Sequence, residues 1–244
     1  MNDIEKLEKI ISESENIVFF GGAGVSCASG IPDFRGNNGL YNGKNDCGAT
    51  PEEILHISYM QKNPKAFYEY YKSNMIYPNA KPNAAHTALA KLEKAGKLRA
   101  VVTQNIDGLH QRAGSHNVFE LHGTVEHNYC IRCGYEYLLD HIINAPLVPK
   151  CSYCGGMVRP DVVLYGEGLD GYVFKGAARA ISEADVLIVG GTSLTVNPAA
   201  SLVNYYGGEH LIIINNTPTP YDIYAEIVIG EPIEKVLSEA VKNI

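Results

Sequence analysis

The chain has no apolar run approaching the roughly 18–20 residues that a membrane span requires, so no crossing helix is expected. Its first ten residues, MNDIEKLEKI, lack the basic-then-apolar order of a secretion signal, which points to the cytoplasm. Basic excess is missing as well. Lys and Arg number 20 against 27 Asp and Glu, and the net charge of −7 counts against nucleic acid as the main partner while suiting cationic, lysine-bearing ones. There are no internal repeats and no low-complexity tracts. In a reducing compartment the six cysteines are expected to be free or metal-bound rather than disulfide-linked. At 244 residues the chain is long enough for one large domain with a small appendage.

A complete dinucleotide fingerprint is also lacking. Gly21 to Gly36 reads GGAGVSCASGIPDFRG, in which Gly22 and Gly24 are followed at the third position by Cys27 rather than glycine. No acid waits about twenty residues on at the end of a clear second strand, as a dehydrogenase needs for its ribose. What is present is the apolar run Ile17–Phe20, a glycine turn that lets backbone amides approach a phosphate, and Ser26 and Ser29 as caps or hydrogen-bonding groups. The turn runs into Asp33, Phe34 and Arg35, which place an acid, an aromatic and a guanidinium side by side.

The second informative pattern is Cys130-x-x-Cys133, a spacer of 17 residues, then Cys151-x-x-Cys154. Two thiolate knuckles close a tetrahedral zinc shell and leave no position for water, so the metal is expected to be structural. Cys27 and Cys47 have no such pairing, and Cys27 reads as a small packing residue.

Periodicity supplies the frame. Residues 2–15 and 83–95 read as amphipathic helices, the first opened by Asn2 and Glu5. Thr50-Pro51 and Pro64 open helices, the latter carrying Phe67, Tyr68, Tyr70 and Tyr71 as packing aromatics. His86 and His110 read as packed histidines. Residues 37–50 form a connection rich in Gly and Asn that suits a mobile loop. Strands are expected at 99–103, 161–165, 185–190, 210–214 and 227–229, with helices at 171–183, from 197, and at 232–243. Strands alternating with helices give an α/β fold, a doubly wound Rossmann-like parallel sheet with a smaller zinc-binding domain. The expected division is 1–36, 81–125 and 159–244 for the large domain. A helical insert at 37–80 and a zinc module at 126–158 make up the small one. A cleft between them suits a ligand.

GAGVSCASGIPDFRG resembles the first signature of the sirtuins, the NAD-dependent protein deacylases. TQNIDGLHQRAG, from Thr103, resembles their second, and Glu120-Leu121-His122-Gly123 their third. A lone histidine beside a glycine is more often structural, but by this resemblance His122 is the catalytic base, with Asn105 beside it in the catalytic set. The resemblance implies NAD as co-substrate, one structural zinc and acyl-lysine peptides as partners. NAD would be held by Gly22, Ala23, Gly24, Ser26, Phe34 and Arg35, by Gln104, Asn105, Ile106, Asp107 and His122, and by Gly191, Thr192, Ser193, Asn215 and Asn216. Val163, Tyr165, Gly166 and Glu167 would pair as a strand edge with the substrate peptide.

The implied reaction moves the acyl group from lysine to ADP-ribose and releases nicotinamide and O-acetyl-ADP-ribose. Asn74 stands where relatives that prefer acidic acyl groups carry arginine, which favours acetyl. Long-chain deacylation and mono-ADP-ribosyl transfer would use the same NAD site and stay open as alternatives. A non-catalytic zinc-ribbon nucleic-acid module is the reading from another class, and the acidic charge opposes it. The oligomeric state is not written in the sequence.

Overall fold

Gly21 pairs with Thr103 on one side and with Gly190 on the other, which puts the glycine turn at the middle of a parallel sheet. The computed structural model describes residues 2–34, 39–42 and 48–244. Arg35 and half of the 37–50 connection lie outside the described residues.

The six strands of the main sheet are β1 (Ile17–Gly21), β2 (Leu98–Thr103), β3 (Val118–Glu120), β7 (Val186–Gly190), β8 (His210–Ile214) and β9 (Ile227–Ile229). They lie in the order β3-β2-β1-β7-β8-β9, and every pairing is parallel. Every residue of β1 and β7 is buried, as expected of central strands covered on both faces. One face is covered by α1 (Asp3–Glu13), α5 (Ala84–Lys94) and α9 (Ile233–Ala240), whose Leu7, Ile11, Leu89, Leu92, Val236 and Leu237 pack on Phe19 and Ile188. The other face carries α8 (Gly171–Ser182) and a 3-10 helix at Ala199–Tyr205. The chain builds the sheet outward from β1 in one direction and from β7 in the other. The crevice where the order reverses, beyond the carboxyl ends of β1 and β7, is where such sheets take ligands.

A second, three-stranded sheet has the order β5-β4-β6 and antiparallel pairings, built from β4 (Gly123–Cys130), β5 (Glu136–Leu138) and β6 (Val158–Val162). Around it lie α2 (Pro51–Ile54), α3 (Ile57–Lys62), α4 (Pro64–Asn74) and α7 (Leu139–Asn144), whereas α6 (Leu109–Ala113) packs its His110 on Phe19 of β1 and His86 of α5. The apolar residues of α2, α3, α4 and α7 share one cluster in which Phe67 and Tyr71 stack with ring centroids 5.6 Å apart. The aromatics of α4 are therefore core.

Local signals set several boundaries. Asn2 and Glu5 form a capping box at α1, and Thr50 with Glu53 does the same at α2. Asn83 accepts from the Ala85 amide, and the His86 ring faces the Asn83 amide at 3.3 Å. Four features refine or depart from the expected elements. The glycine turn leads into a 3-10 helix, Ala23–Ser29. The segment opened by Pro198 is likewise 3-10. The strand expected at 161–165 ends at Val162 and belongs to the antiparallel sheet. β4 and β5, with neither long apolar runs nor clean alternation, had no expectation at all.

Candidate functional site

The site grows from the ends of β1, β2, β3, β7 and β8. After β1, the Gly22 amide donates to Gly190 O (3.2 Å) and the Gly24 amide to Gly191 O (2.8 Å), so the turns after β1 and β7 are stitched together. A Cβ on Gly24 would lie 2.8 Å from the Gly191 backbone, so the contact itself demands glycine. Ala23, first residue of the 3-10 helix, has its amide where that helix cannot use it.

After β2, the expected residues join two adjacent sets of hydrogen bonds, one around Ser26 and one around Gln104. Ser26, buried, donates from Oγ to Asp107 Oδ2 at 2.6 Å and accepts from Asn105 Nδ2 at 3.1 Å. The second oxygen of Asp107 accepts the Leu109 amide at 2.9 Å, which starts α6. Gln104 Nε2 donates to Thr192 Oγ1 at 3.1 Å, tying β2 to β7 across β1. Ile106 accepts the Val125 amide through its carbonyl and packs against the small-domain core.

His122 follows β3. Its Nδ1 lies 2.9 Å from the Gln104 carbonyl oxygen. A carbonyl can only accept, so Nδ1 carries the proton and Nε2 keeps the lone pair. Burial lowers the imidazole's pKa, and the bond to Gln104 only partly offsets this, leaving it below the ordinary histidine value. The ring is therefore neutral at physiological pH. Gly123 behind it has φ +73°, and a Cβ there would lie 2.0 Å from the Asp161 carbonyl oxygen. Only glycine lets β3 turn into β4 at this point.

Thr192 is buried and Ser193 half-buried, with Ser193 Oγ 2.8 Å from Thr195 Oγ1. Asn215 is held by Thr217, and Asn216 is exposed. These residues sit at the far end of the same crevice. Phe34 packs edge-on to Tyr41 (5.4 Å), and Tyr41 shares a 2.6 Å hydroxyl contact with Tyr165. Arg35 lies outside the described residues.

The segment expected to form a peptide-binding edge is partly occupied by the chain itself. The Val163 amide donates to His122 O, Tyr165 to Leu55 O and Glu167 to Leu164 O. Glu167 does not present its carboxylate outward. Both of its oxygens bond Arg159, at 2.7 and 2.8 Å, and one also accepts the Leu164 amide. Burial pushes the Glu167 carboxyl up, but the bonds from Arg159 and Leu164 outweigh it and bring its pKa below the usual range. Arg159 further donates to Val162 O and lies 5.7 Å from the Tyr129 ring centroid. Sequence reasoning missed this pair. The only signal was a cation eight residues before the acid in RPDVVLYGE. It also missed Asn83, which donates to Val25 O and Ser29 Oγ and braces the 3-10 helix from outside.

The four expected metal ligands converge. Their sulfurs lie within 4.8 Å of one another, with Cys130–Cys154 at 3.5 Å, Cys133–Cys151 at 3.6 Å and Cys133–Cys154 at 3.4 Å. Tetrahedral zinc with bonds of about 2.3 Å needs sulfur separations of about 3.8 Å, so the donor set fits zinc closely. Cys27 is exposed, and its sulfur faces Ala23 O at 3.7 Å.

A doubly wound sheet with a glycine turn at its switch point, a neutral histidine beside it and a closed four-thiolate site in a small second domain defines a Rossmann-like nucleotide-binding protein with a structural zinc. The Sir2 family model matches residues 22–198, and the chain belongs to that family. It is 57% identical to an NAD-dependent protein deacetylase of Clostridium perfringens over 98% of both chains. It is 51% identical to one of Cutibacterium acnes over 96% of both. A solved Sir2 structure with a p53 peptide and NAD+ superposes with a TM-score of 0.87 at 38% identity, covering 99% of this chain and 98% of that one. No described helix is long and apolar enough to cross a membrane.

Proposed function

We infer that the protein is an NAD-dependent protein-lysine deacetylase. The observation that carries this is the convergence of Ser26, Gln104, Asn105, Asp107, His122 and Thr192 on one crevice through direct hydrogen bonds. The reading draws its substrate class from the deacetylase relatives and from the peptide-bound Sir2 structure.

The roles within the site are proposals. Gly22, Ala23 and Gly24 with Gly191, Thr192 and Ser193 would hold the phosphates and adenosine half, and Asn215 and Asn216 would close the far end. Asp107, positioned by Ser26 and the Leu109 amide, would receive the nicotinamide carboxamide beside Ile106, Phe34 would cover the nicotinamide side, and Arg35 would contact NAD. Bound NAD would supply the sugar carbon from which nicotinamide leaves as the acyl oxygen attacks it, and a ribose hydroxyl that ends up carrying the acyl group once water has entered and lysine has left. Asn105 would orient that ribose hydroxyl, and Nε2 of His122 would take its proton. The neutral, Nδ1-protonated ring suits that role because the lone pair already points away from Gln104. The acyl-lysine peptide would lie along residues 163–167, with Arg159 and Glu167 fixing the path of that segment. Residues 37–80 with 126–158 would form the small domain of the cleft.

Asn74 donates to Tyr70 O within its own helix, and we propose that the acyl pocket suits a neutral acetyl group better than a succinyl one. The test is the pH dependence of deacetylation. Because the neutral form of His122 is the active one and its pKa is lowered, activity should rise with pH on a limb centred below the ordinary histidine value of about 6.5. His122→Ala should remove the reaction while leaving the unfolding midpoint near that of the parent. Retained turnover in that variant would take the base role from His122.

A further inference from the structure

Beside the four-thiolate site, Tyr137 of β5 makes contacts that the metal ligands alone do not require. Its hydroxyl lies 3.2 Å from Cys151 Sγ, accepts the Ser152 amide at 2.8 Å and lies 3.0 Å from Ser152 Oγ. A phenol has one proton, and a metal-bound thiolate has only lone pairs, so the proton goes to sulfur and the Ser152 hydroxyl donates into the phenol oxygen. On its other side the ring stacks on His141, centroids 4.0 Å apart and planes 28° from parallel. His141 Nε2 in turn lies 2.9 Å from Lys150 O. The Tyr137–His141 stack therefore grips the chain immediately before and immediately after Cys151. The backbone of Tyr137 also pairs with Asn128 of β4, two residues before Cys130. One residue thus joins both knuckles.

We propose that Tyr137, backed by His141, is a positioning residue for the zinc site. Its hydroxyl donates a hydrogen bond to the Cys151 thiolate, holds that sulfur in the metal's shell and quiets its reactivity. Outer-shell partners of this kind are worth roughly 10–100-fold in metal affinity when removed. The proposal rests on the site holding zinc and is independent of the roles assigned in the crevice.

The test uses the full-length protein purified with its metal, after zinc content is measured. Tyr137→Phe keeps the ring stack and removes only the hydroxyl. It should lose zinc to a chelating dye roughly tenfold faster than the parent. In the cobalt-substituted protein its sulfur-to-metal charge-transfer band should move to longer wavelength, because a thiolate without a hydrogen bond is more electron-rich. Iodoacetamide labelling read by mass spectrometry should rise at Cys151 more than at Cys130, Cys133 or Cys154. A merely structural tyrosine would leave the cobalt band and the site selectivity unmoved. If Tyr137→Phe does not fold, His141→Phe, which keeps a stacking ring but frees the Lys150 carbonyl, should show faster zinc loss than the parent. Parental release rates and an unshifted cobalt band would overturn the proposal, as would a parent protein that carries no zinc and binds none.

Discussion

His86 and His110 are packed against each other in the core, centroids 4.7 Å apart, at 0% and 1% exposure. Among the described residues neither nitrogen of His110 has a partner, nor does Nε2 of His86. Burial drives the pKa of His86 down to about 4, only partly offset by nearby Asp107. Burial, reinforced by His86, drives that of His110 to about 3. Both rings are thus neutral when folded and protonate readily when unfolded. Stability from such a depressed pair is fully present above the unfolded value of about 6.5 and is lost as pH falls toward the folded values. At pH 5.5, one unit below the unfolded value, each ring should cost about 1.4 kcal/mol relative to neutral pH, or about 3 kcal/mol for the pair. Titrating carboxylates also contribute to the pH slope, so the clean measurement is a difference. Urea unfolding at pH 7.5 and 5.5 should show His110→Phe losing about 1.4 kcal/mol less than the parent over that interval. Identical losses in the two proteins would refute the claim that His110 is held neutral.

Two further outcomes follow from geometry. Arg159 and Glu167 expose only 9% and 25% of their side chains, so Arg159→Met strands a carboxylate, and urea unfolding should show a loss of about 3–5 kcal/mol. In whatever folds, KM for the acetylated peptide should rise while KM for NAD stays near the parental value; an unchanged peptide KM would detach the pair from substrate binding. Gly123→Ala places a Cβ against the Asp161 carbonyl at a left-handed φ, and its thermal unfolding should reveal a loss of at least about 2 kcal/mol. A neutral effect would mean that the β3–β4 turn relaxes freely.

What the sequence reveals and conceals has a physical pattern. The glycine turn, the QNID segment and the cysteine knuckles are contiguous motifs whose chemistry is set by local spacing, and all are readable in order. The central parallel strands are readable because burial on both faces makes them continuous apolar runs, as in Val186–Gly190, whereas the short, half-buried β3 had no such mark. β4 and β5 are neither fully buried nor cleanly alternating, so periodicity does not mark them. The 3-10 form of Ala23–Ser29 depends on Gly24 docking on Gly191, a contact between residues far apart in the chain. Arg159 with Glu167, Asn83 with Val25, and Tyr137 with Cys151 are likewise pairings that only the assembled fold creates.

The most direct test of the central claim is nicotinamide release from NAD, measured with an acetyl-lysine peptide and with the same peptide unmodified. The account predicts release only with the acetylated peptide, accompanied by O-acetyl-ADP-ribose and abolished in His122→Ala. Equal release with both peptides would contradict it and indicate a hydrolase or ADP-ribosyltransferase instead.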